Sequence, residues 1–442
     1  MLPVRGALEG ARGDEPRMPP QTAAGQVAAL APGAVFFGMV LALTFTMNMM
    51  GRGLGECFAV FLLPVQKAFA ASRSEITGVY SVYQLVHGLS ALMVGLFFDR
   101  FGARATYGVG LLVMSAALLA AGNAPTLLAY YVSAGAGLGV AVAAMGMVPA
   151  SSLISRWFSH RVGTAMGVAY AALGAGMLLL PPLSQRLIEH FGWRSAYQIL
   201  GAGVLMLWPV VMLLPLGRAS AGSPDWQLRR QRLERERRPW TIASAIRTSS
   251  FWGLFAIQFS TSIAAYAVLP QAVAYMVESG FSARTAADAF GFTGVLSVFG
   301  ILSVGWLSDR VGRRPMMTAS LLSSCLGVLF LILVALTPSI WLVCGYVLFF
   351  GSMQGARGPV VSSLTAILFP GGGFGGIYGT ITLAMGVGAA LGSWSSGLLH
   401  DLTGQYTASF LLAVGGFLLA LASFWAVPGM RQEQVLRASR AV

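Results

Sequence analysis

The sequence predicts an all-α integral membrane protein: twelve transmembrane helices in two pseudo-symmetric six-helix bundles, with both termini cytoplasmic. Three observations carry that prediction. Of 442 residues, 56% are hydrophobic and only 10% are charged, against about 25% charged in an ordinary soluble domain. A helix needs about 20 apolar residues to cross roughly 30 Å of hydrocarbon, so the chain has room for about a dozen spans. One loop motif is written twice, GLFFDRFGAR from Gly95 and GWLSDRVGRR from Gly305, 305 − 95 = 210 residues apart, and a repeat on that scale predicts two equivalent bundles.

Along the chain, residues 1–32 are rich in Pro, Gly and charge and hold no signal-peptide core, which predicts a disordered cytoplasmic tail. Apolar runs then predict spans at 33–63, 76–98, 104–122, 126–154, 161–187 and 194–216, the N-terminal bundle of 33–216. Residues 217–249, containing LRRQRLERERRPW, read as a basic cytoplasmic linker, solvated because Glu234 and Glu236 interrupt the charge run. Spans at 250–277, 284–307, 315–336, 339–368, 374–399 and 405–427 make the C-terminal bundle of 250–427, and 428–442 a second cytoplasmic tail. Helices are required because backbone groups in lipid must be satisfied within the segment, and the runs lack the alternation of barrel strands.

Charge sets the orientation. With the N-terminus inside, 21 of the 28 basic residues fall on the inner side and five on the outer (Lys67, Arg73, Arg186, Arg194 and Arg284), leaving Arg52 and Arg357 within spans. The formal charge of +13 is therefore a consequence of topology, with no nucleic-acid partner implied. Cys57, Cys325 and Cys344 sit in apolar runs without metal or disulfide spacing and read as core packing. Their surroundings, and the absence of H-E-x-x-H and nucleotide P-loop patterns, point to neither an enzyme nor a metal or cofactor site. Lys67 is the only lysine against many arginines, a bias that points to a bacterial inner membrane.

In each motif copy a glycine, Gly95 or Gly305, permits close helix approach, and Asp99 or Asp309 sits at a helix end where it can pair with a helix N-terminus or basic group. Arg100, Arg104, Arg310, Arg313 and Arg314 anchor the cytoplasmic face. The doubled G-x-x-x-D-R-x-G-x-R closely resembles the signature of the major facilitator superfamily. That resemblance implies alternating access, with Asp99 and Asp309 stabilising the outward-open state through contacts that break on switching. Within the superfamily, RWFSHRVGTAMGVAYAA resembles the monocarboxylate-porter motif at Phe158, Arg161, Ala165, Gly167, Ala169 and Ala171. LIEHFGWRSAY, with Gly192, Trp193 and Arg194, is similar to bacterial members and to the related oxalate/formate-type antiporters. Ser297 and Ile301 stand where many animal members carry Asp and Arg in the eighth span.

Arg52, Glu56 and Arg357 are the fully ionised groups placed near mid-membrane, where an Arg costs about 2.5 to 3.5 kcal/mol even on the lenient insertion scale. Arg52 and Glu56 are four residues apart, on one helix face, and can neutralise each other. Arg357 follows Gly351 and Gly355 and precedes Gly358 and Pro359, residues that weaken the helix. Its planar guanidinium suits a carboxylate gripped by two parallel bonds. The superfamily resemblance implies that spans one and ten line the cavity. The expected cargo is a small organic anion held on Arg52 and Arg357, with Gln354 beside the latter. Glu56 protonates as the cargo binds, and a proton or a counter-anion is the coupled partner. Tyr83 and His87 lie one turn apart on the second span, and His87 is a candidate proton relay. Gln258, Tyr266, Gln271 and Tyr275 on the seventh span offer neutral hydrogen bonds. Gly388 with Gly392 forms a G-x-x-x-G pair for close packing. The expected protein is a monomer in the bilayer, a proton-coupled monocarboxylate-like porter. Organic-anion antiport is the near alternative; drug export and a non-transporting sensor are farther.

Overall fold

The structure is a computed structural model that describes residues 23–157, 162–221, 241–369 and 374–426, and every element among them is helical. In chain order these are α1 (Ala23–Glu56), α2 (Phe58–Phe69), α3 (Arg73–Gly122), α4 (Leu127–Tyr130), a π-helical stretch Tyr131–Gly137, α5 (Leu138–Met145), α6 (Met147–Trp157), α7 (Val162–Leu213) and α8 (Leu216–Ala221). They continue as α9 (Ile242–Ile246), α10 (Ser249–Val268), a 3-10 turn Leu269–Gln271, α11 (Ala272–Glu278), α12 (Ala283–Val311) and α13 (Arg313–Val334). Last come α14 (Ile340–Phe349), a 3-10 turn Gly351–Met353, α15 (Arg357–Leu368), α16 (Phe374–Thr403) and α17 (Thr407–Ala426). Among the described residues, eight helical stretches are by length and composition long and apolar enough to cross a membrane, and Ile340–Met353 is a shorter apolar one.

Several boundaries differ from expectation. Helix α1 begins at Ala23, inside the segment expected as a tail, because Ala-rich AAGQVAAL favours helix; residues 1–22 lie outside the described residues, as do 222–240 of the linker, 427 at the end of the second bundle and the whole second tail, 428–442. The spans expected at 76–98 and 104–122 are two helices within α3 that meet at a sharp break at Gly102 (φ 76, ψ −178). The second motif copy breaks at Gly312 (φ 111, ψ 153), again 210 residues on. Positive φ with ψ near 180° is open essentially only to glycine, so the glycine of D-R-x-G makes the chain turn back between successive spans in both copies. Cys344 is a correction: Cys57 and Cys325 are buried but Cys344 is exposed. Helix α14 is apolar on every side, so hydrophobicity carries no sign of which side faces inward.

Two long seams join the first six predicted spans to the second six: α3 packs along α16, and α7 along α12. Small residues set the spacing. A Cβ on Gly174 would lie 2.2 Å from the Gly294 carbonyl oxygen, and one on Gly88 would lie 3.3 Å from Gly386 Cα. Within the second set, Gly388 and Gly392 rest on the backbone carbonyls of Phe259 and Ile263. The predicted spans one, four, seven and ten are each interrupted: at Cys57, at the π stretch and Gly146, at Leu269–Gln271, and at Gly351–Ala356. Interrupted helices place polar side chains and freed backbone groups at membrane depth where they line protein, not lipid.

Candidate functional site

Arg52 and Glu56 occupy the last turn of α1, immediately before the interruption at Cys57. Their four-residue spacing puts Arg52 Nη2 3.3 Å from Glu56 Oε1, with side chains 13% and 2% exposed. The second carboxylate oxygen accepts a 2.6 Å bond from the Tyr80 hydroxyl, and Gln84 Nε2 donates to that hydroxyl at 3.3 Å. Arg52 Nη2 also reaches the Tyr266 hydroxyl on α10 at 3.3 Å. That contact links α1 to the seventh predicted span. A buried charge is tolerable only when paired and hydrogen-bonded, which is the arrangement found on the Glu56 side.

The Arg52 side is incomplete. Its Nη1 is buried without a hydrogen-bond partner, and so is the Tyr83 hydroxyl. Tyr83 stands over α1 at Gly55, where a Cβ would lie 2.2 Å from its hydroxyl oxygen. Tyrosine rings surround the pair: Tyr80 and Tyr83 centroids are 5.2 Å apart, Tyr80 and Tyr266 6.1 Å, and His87 stacks on Tyr83 at 6.2 Å. Two buried donors without partners beside these rings, a guanidinium N–H and a phenol O–H, are the groups that suit a carboxylate.

Of the residues expected to act together, the structure joins Arg52, Glu56, Tyr83 and His87. Arg357 is engaged elsewhere: Nη1 donates to Ser324 at 3.2 Å and the guanidinium lies 5.0 Å over the Phe417 ring, so it faces α13 and α17 within the second set of helices. Its position opening α15 was legible, but which way the side chain points follows from the φ 78 turn at Gly355. Tyr275 donates to the Leu331 carbonyl at 2.6 Å and packs between Tyr406 and Phe410. Gln271 donates to Ser396 at 2.9 Å, and Gln354 lies across the α7 seam from Met177, Nε2 to Sδ 3.9 Å. Among the described residues, no recorded bond ties these four to Arg52 or Glu56. Tyr80 and Gln84 were missed as site residues. Their signal was present: Tyr80, Tyr83, Gln84 and His87 follow the i, i+3, i+4, i+7 spacing of one helix face.

The first motif copy is held within its own set of helices. Asp99 pairs with Arg156 of α6 at 2.8 Å; Arg156 Nη1 donates to the Ser220 carbonyl, and the Ser220 hydroxyl takes the Ala103 amide at 2.8 Å. Arg104 reaches the Leu214 carbonyl, Arg100 lies over Phe101, and Gly95 faces Val148. In the second copy Arg310 lies in the last turn of α12, Arg313 opens α13 and Arg314 lies over Trp425; the side-chain surroundings of Gly305 and Asp309 lie outside the described residues.

A sequence model of the Major Facilitator Superfamily matches residues 41–310 and again 254–441. The chain belongs to the Major Facilitator Superfamily. This transporter is 28% identical over 385 residues to an uncharacterized MFS-type transporter, YcxA, of Bacillus subtilis (strain 168), covering 83% of this chain and 89% of that one. It is 28% identical over 392 residues to monocarboxylate transporter 13 of Bos taurus, covering 86% and 87%. A bacterial homolog of the human lysosomal transporter Spinster, solved inward-facing and occupied, superposes with a TM-score of 0.68 at 15% identity, over 89% of this chain and 97% of that one. The family translocates solutes, and the transporter is not an enzyme.

Proposed function

We propose that the transporter carries a small organic monoanion together with a proton by alternating access. It has twelve spans, both termini inside a bacterial inner membrane, bundles of 33–216 and 250–427, and works as a monomer. The observation that carries the reading is the buried Arg52–Glu56 pair, complete on the glutamate side and short of partners at Arg52 Nη1 and Tyr83. In the empty site Glu56 neutralises Arg52. A cargo carboxylate takes Arg52 Nη1 and the Tyr83 hydroxyl, and a proton on Glu56 removes the competing charge. Empty, the site holds one positive and one negative group; loaded, it holds the arginine, a neutral glutamic acid and the cargo anion. The net charge is zero both times, so both forms reorient without carrying a charge through low dielectric. The monocarboxylate names of several relatives favour the same class.

Uptake and counterflow of labelled mono- and dicarboxylates in proteoliposomes, with and without a pH gradient, test this. Monocarboxylates are expected to accumulate only with the gradient, and Glu56→Gln to keep exchange while losing accumulation. Flux indifferent to pH removes Glu56 from the mechanism and leaves anion exchange. Arg52→Lys is expected to abolish saturable uptake. Arg357→Lys separates direct from indirect roles: unchanged uptake assigns Arg357 to packing, whereas a raised KM returns it to the cargo.

A further inference from the structure

The end of the molecule opposite Asp99 carries a second charged cluster that transport chemistry at Arg52 does not use. Helix α3 starts there with four amides that lack intrahelical partners. Its own capping box takes part of the load: Ser72 Oγ accepts from the Glu75 amide and Glu75 accepts from the Ser72 amide. The next two amides go to a residue 328 and 327 positions away. Asp401, near the end of α16, accepts from Arg73 N at 2.8 Å and from Ser74 N at 2.7 Å. A carboxylate on a helix N-terminus meets both the free donors and the positive end of the helix dipole.

A second carboxylate joins from a third element. The Arg73 guanidinium, 3% exposed, pairs with Glu278 at the end of α11 and lies over the Tyr406 ring. Tyr406 donates to the other oxygen of Glu278 at 2.7 Å, and His400 Nε2 is 3.9 Å from it. Arg73 Nε and Nη1 are buried without partners, so the closed arrangement leaves this arginine under-satisfied. The approach is also sterically tight. A Cβ on Gly397 would lie 2.1 Å from Thr77 Oγ1 and 2.8 Å from the Arg73 carbonyl oxygen, and Ser393 donates to the Thr77 carbonyl at 3.2 Å. Beside it, Arg284 of α12 and Glu189 of α7 make a further tie at 3.2 Å, and α2 packs on α11.

We infer that Asp401, Glu278 and Arg73 form a latch that holds this mouth shut, with Gly397 as the small residue that lets the two helices meet. The ties of Asp401 to the Arg73 and Ser74 amides and of Glu278 to the Arg73 guanidinium cross between the first and second sets of helices, and each is a charge-assisted bond to a group that water satisfies once the helices part. An apolar plug would instead expose its surface on opening. The latch therefore sets the ratio of mouth-closed to mouth-open transporter, independently of cargo.

The test uses the full chain with the exposed Cys344→Ser and spin labels at Lys67→Cys and Leu402→Cys, both exposed positions on opposite sides of the mouth. Distances are read by double electron–electron resonance in lipid nanodiscs without cargo, after size exclusion has confirmed a monodisperse protein. Asp401→Asn and Gly397→Ala are each expected to add a longer-distance population, raising the open-to-closed ratio at least about tenfold, equivalent to about 1.4 kcal/mol. Arg73→Glu and Glu278→Arg are expected to open the mouth singly and to close it again together. Unchanged distances in both Asp401→Asn and Gly397→Ala, or a charge swap as open as either single change, overturns the latch. Because the readout involves no transport, it stands or falls apart from the anion reading.

Discussion

Replacing Glu56 by Gln leaves Arg52 charged in a largely buried site, because an arginine cannot shed its proton. At the observed 3.3 Å the gross attraction is about 5 kcal/mol for an effective dielectric constant of about 20. Desolvation cancels much of that in the intact pair, but it is not recovered when one partner goes, and breaking a buried pair costs about 3 to 5 kcal/mol. Gln keeps an oxygen for the Tyr80 hydroxyl, which puts Glu56→Gln near the lower figure. The informative comparison is Arg52→Met with Glu56→Met, where neither charge remains. Apolar replacement of a buried pair is close to neutral, so the double variant is expected within about 1 kcal/mol of the parent and more stable than Glu56→Gln, yet without uptake. Unfolding in mixed detergent micelles gives the stabilities, and proteoliposome uptake the function. A double variant as unstable as Glu56→Gln, or one that still transports, refutes the account of a pair retained for cargo.

Three further outcomes follow from the geometry. Gly102→Ala and Gly312→Ala are each expected to lose about 1 to 3 kcal/mol in the same unfolding assay, because both positions hold a positive φ, and at Gly102 the new Cβ would also lie 2.9 Å from Ser220 Oγ. Gly174→Ala drives a methyl to within 2.2 Å of the Gly294 carbonyl oxygen in the α7–α12 seam, and initial uptake is expected to fall at least about tenfold. Asp99→Asn loses a pair in which Asp99 is 70% exposed, worth under about 1 kcal/mol; uptake that falls while unfolding barely changes then reports a conformational role.

The helical class and the places of most apolar helices were legible because apolar length is a local property. So was the motif repeat, whose two positive-φ glycines fall at matching places. Arg52 with Glu56 was legible for the same reason: helical spacing alone sets a four-residue pair face to face. The aromatic face of α3 was present in the spacing of Tyr80, Tyr83, Gln84 and His87 but had no partner until α1 was placed against it. Arg357 shows the limit. Its chemistry and its place beside a weakened helix were written in the sequence, whereas its engagement with Ser324 and Phe417 depends on the rotation of α15 after the Gly355 turn. The latch is the extreme case, since nothing local links Arg73 to Asp401 across 328 residues. Sequence by itself determined which segments are helical, where the chain turns back and which charges share one helix face, all consequences of spacing and solvent. Only the tertiary structure decided which of those charges meet, because the side of an all-apolar helix that faces its neighbours is set by packing and leaves no hydrophobic period to read.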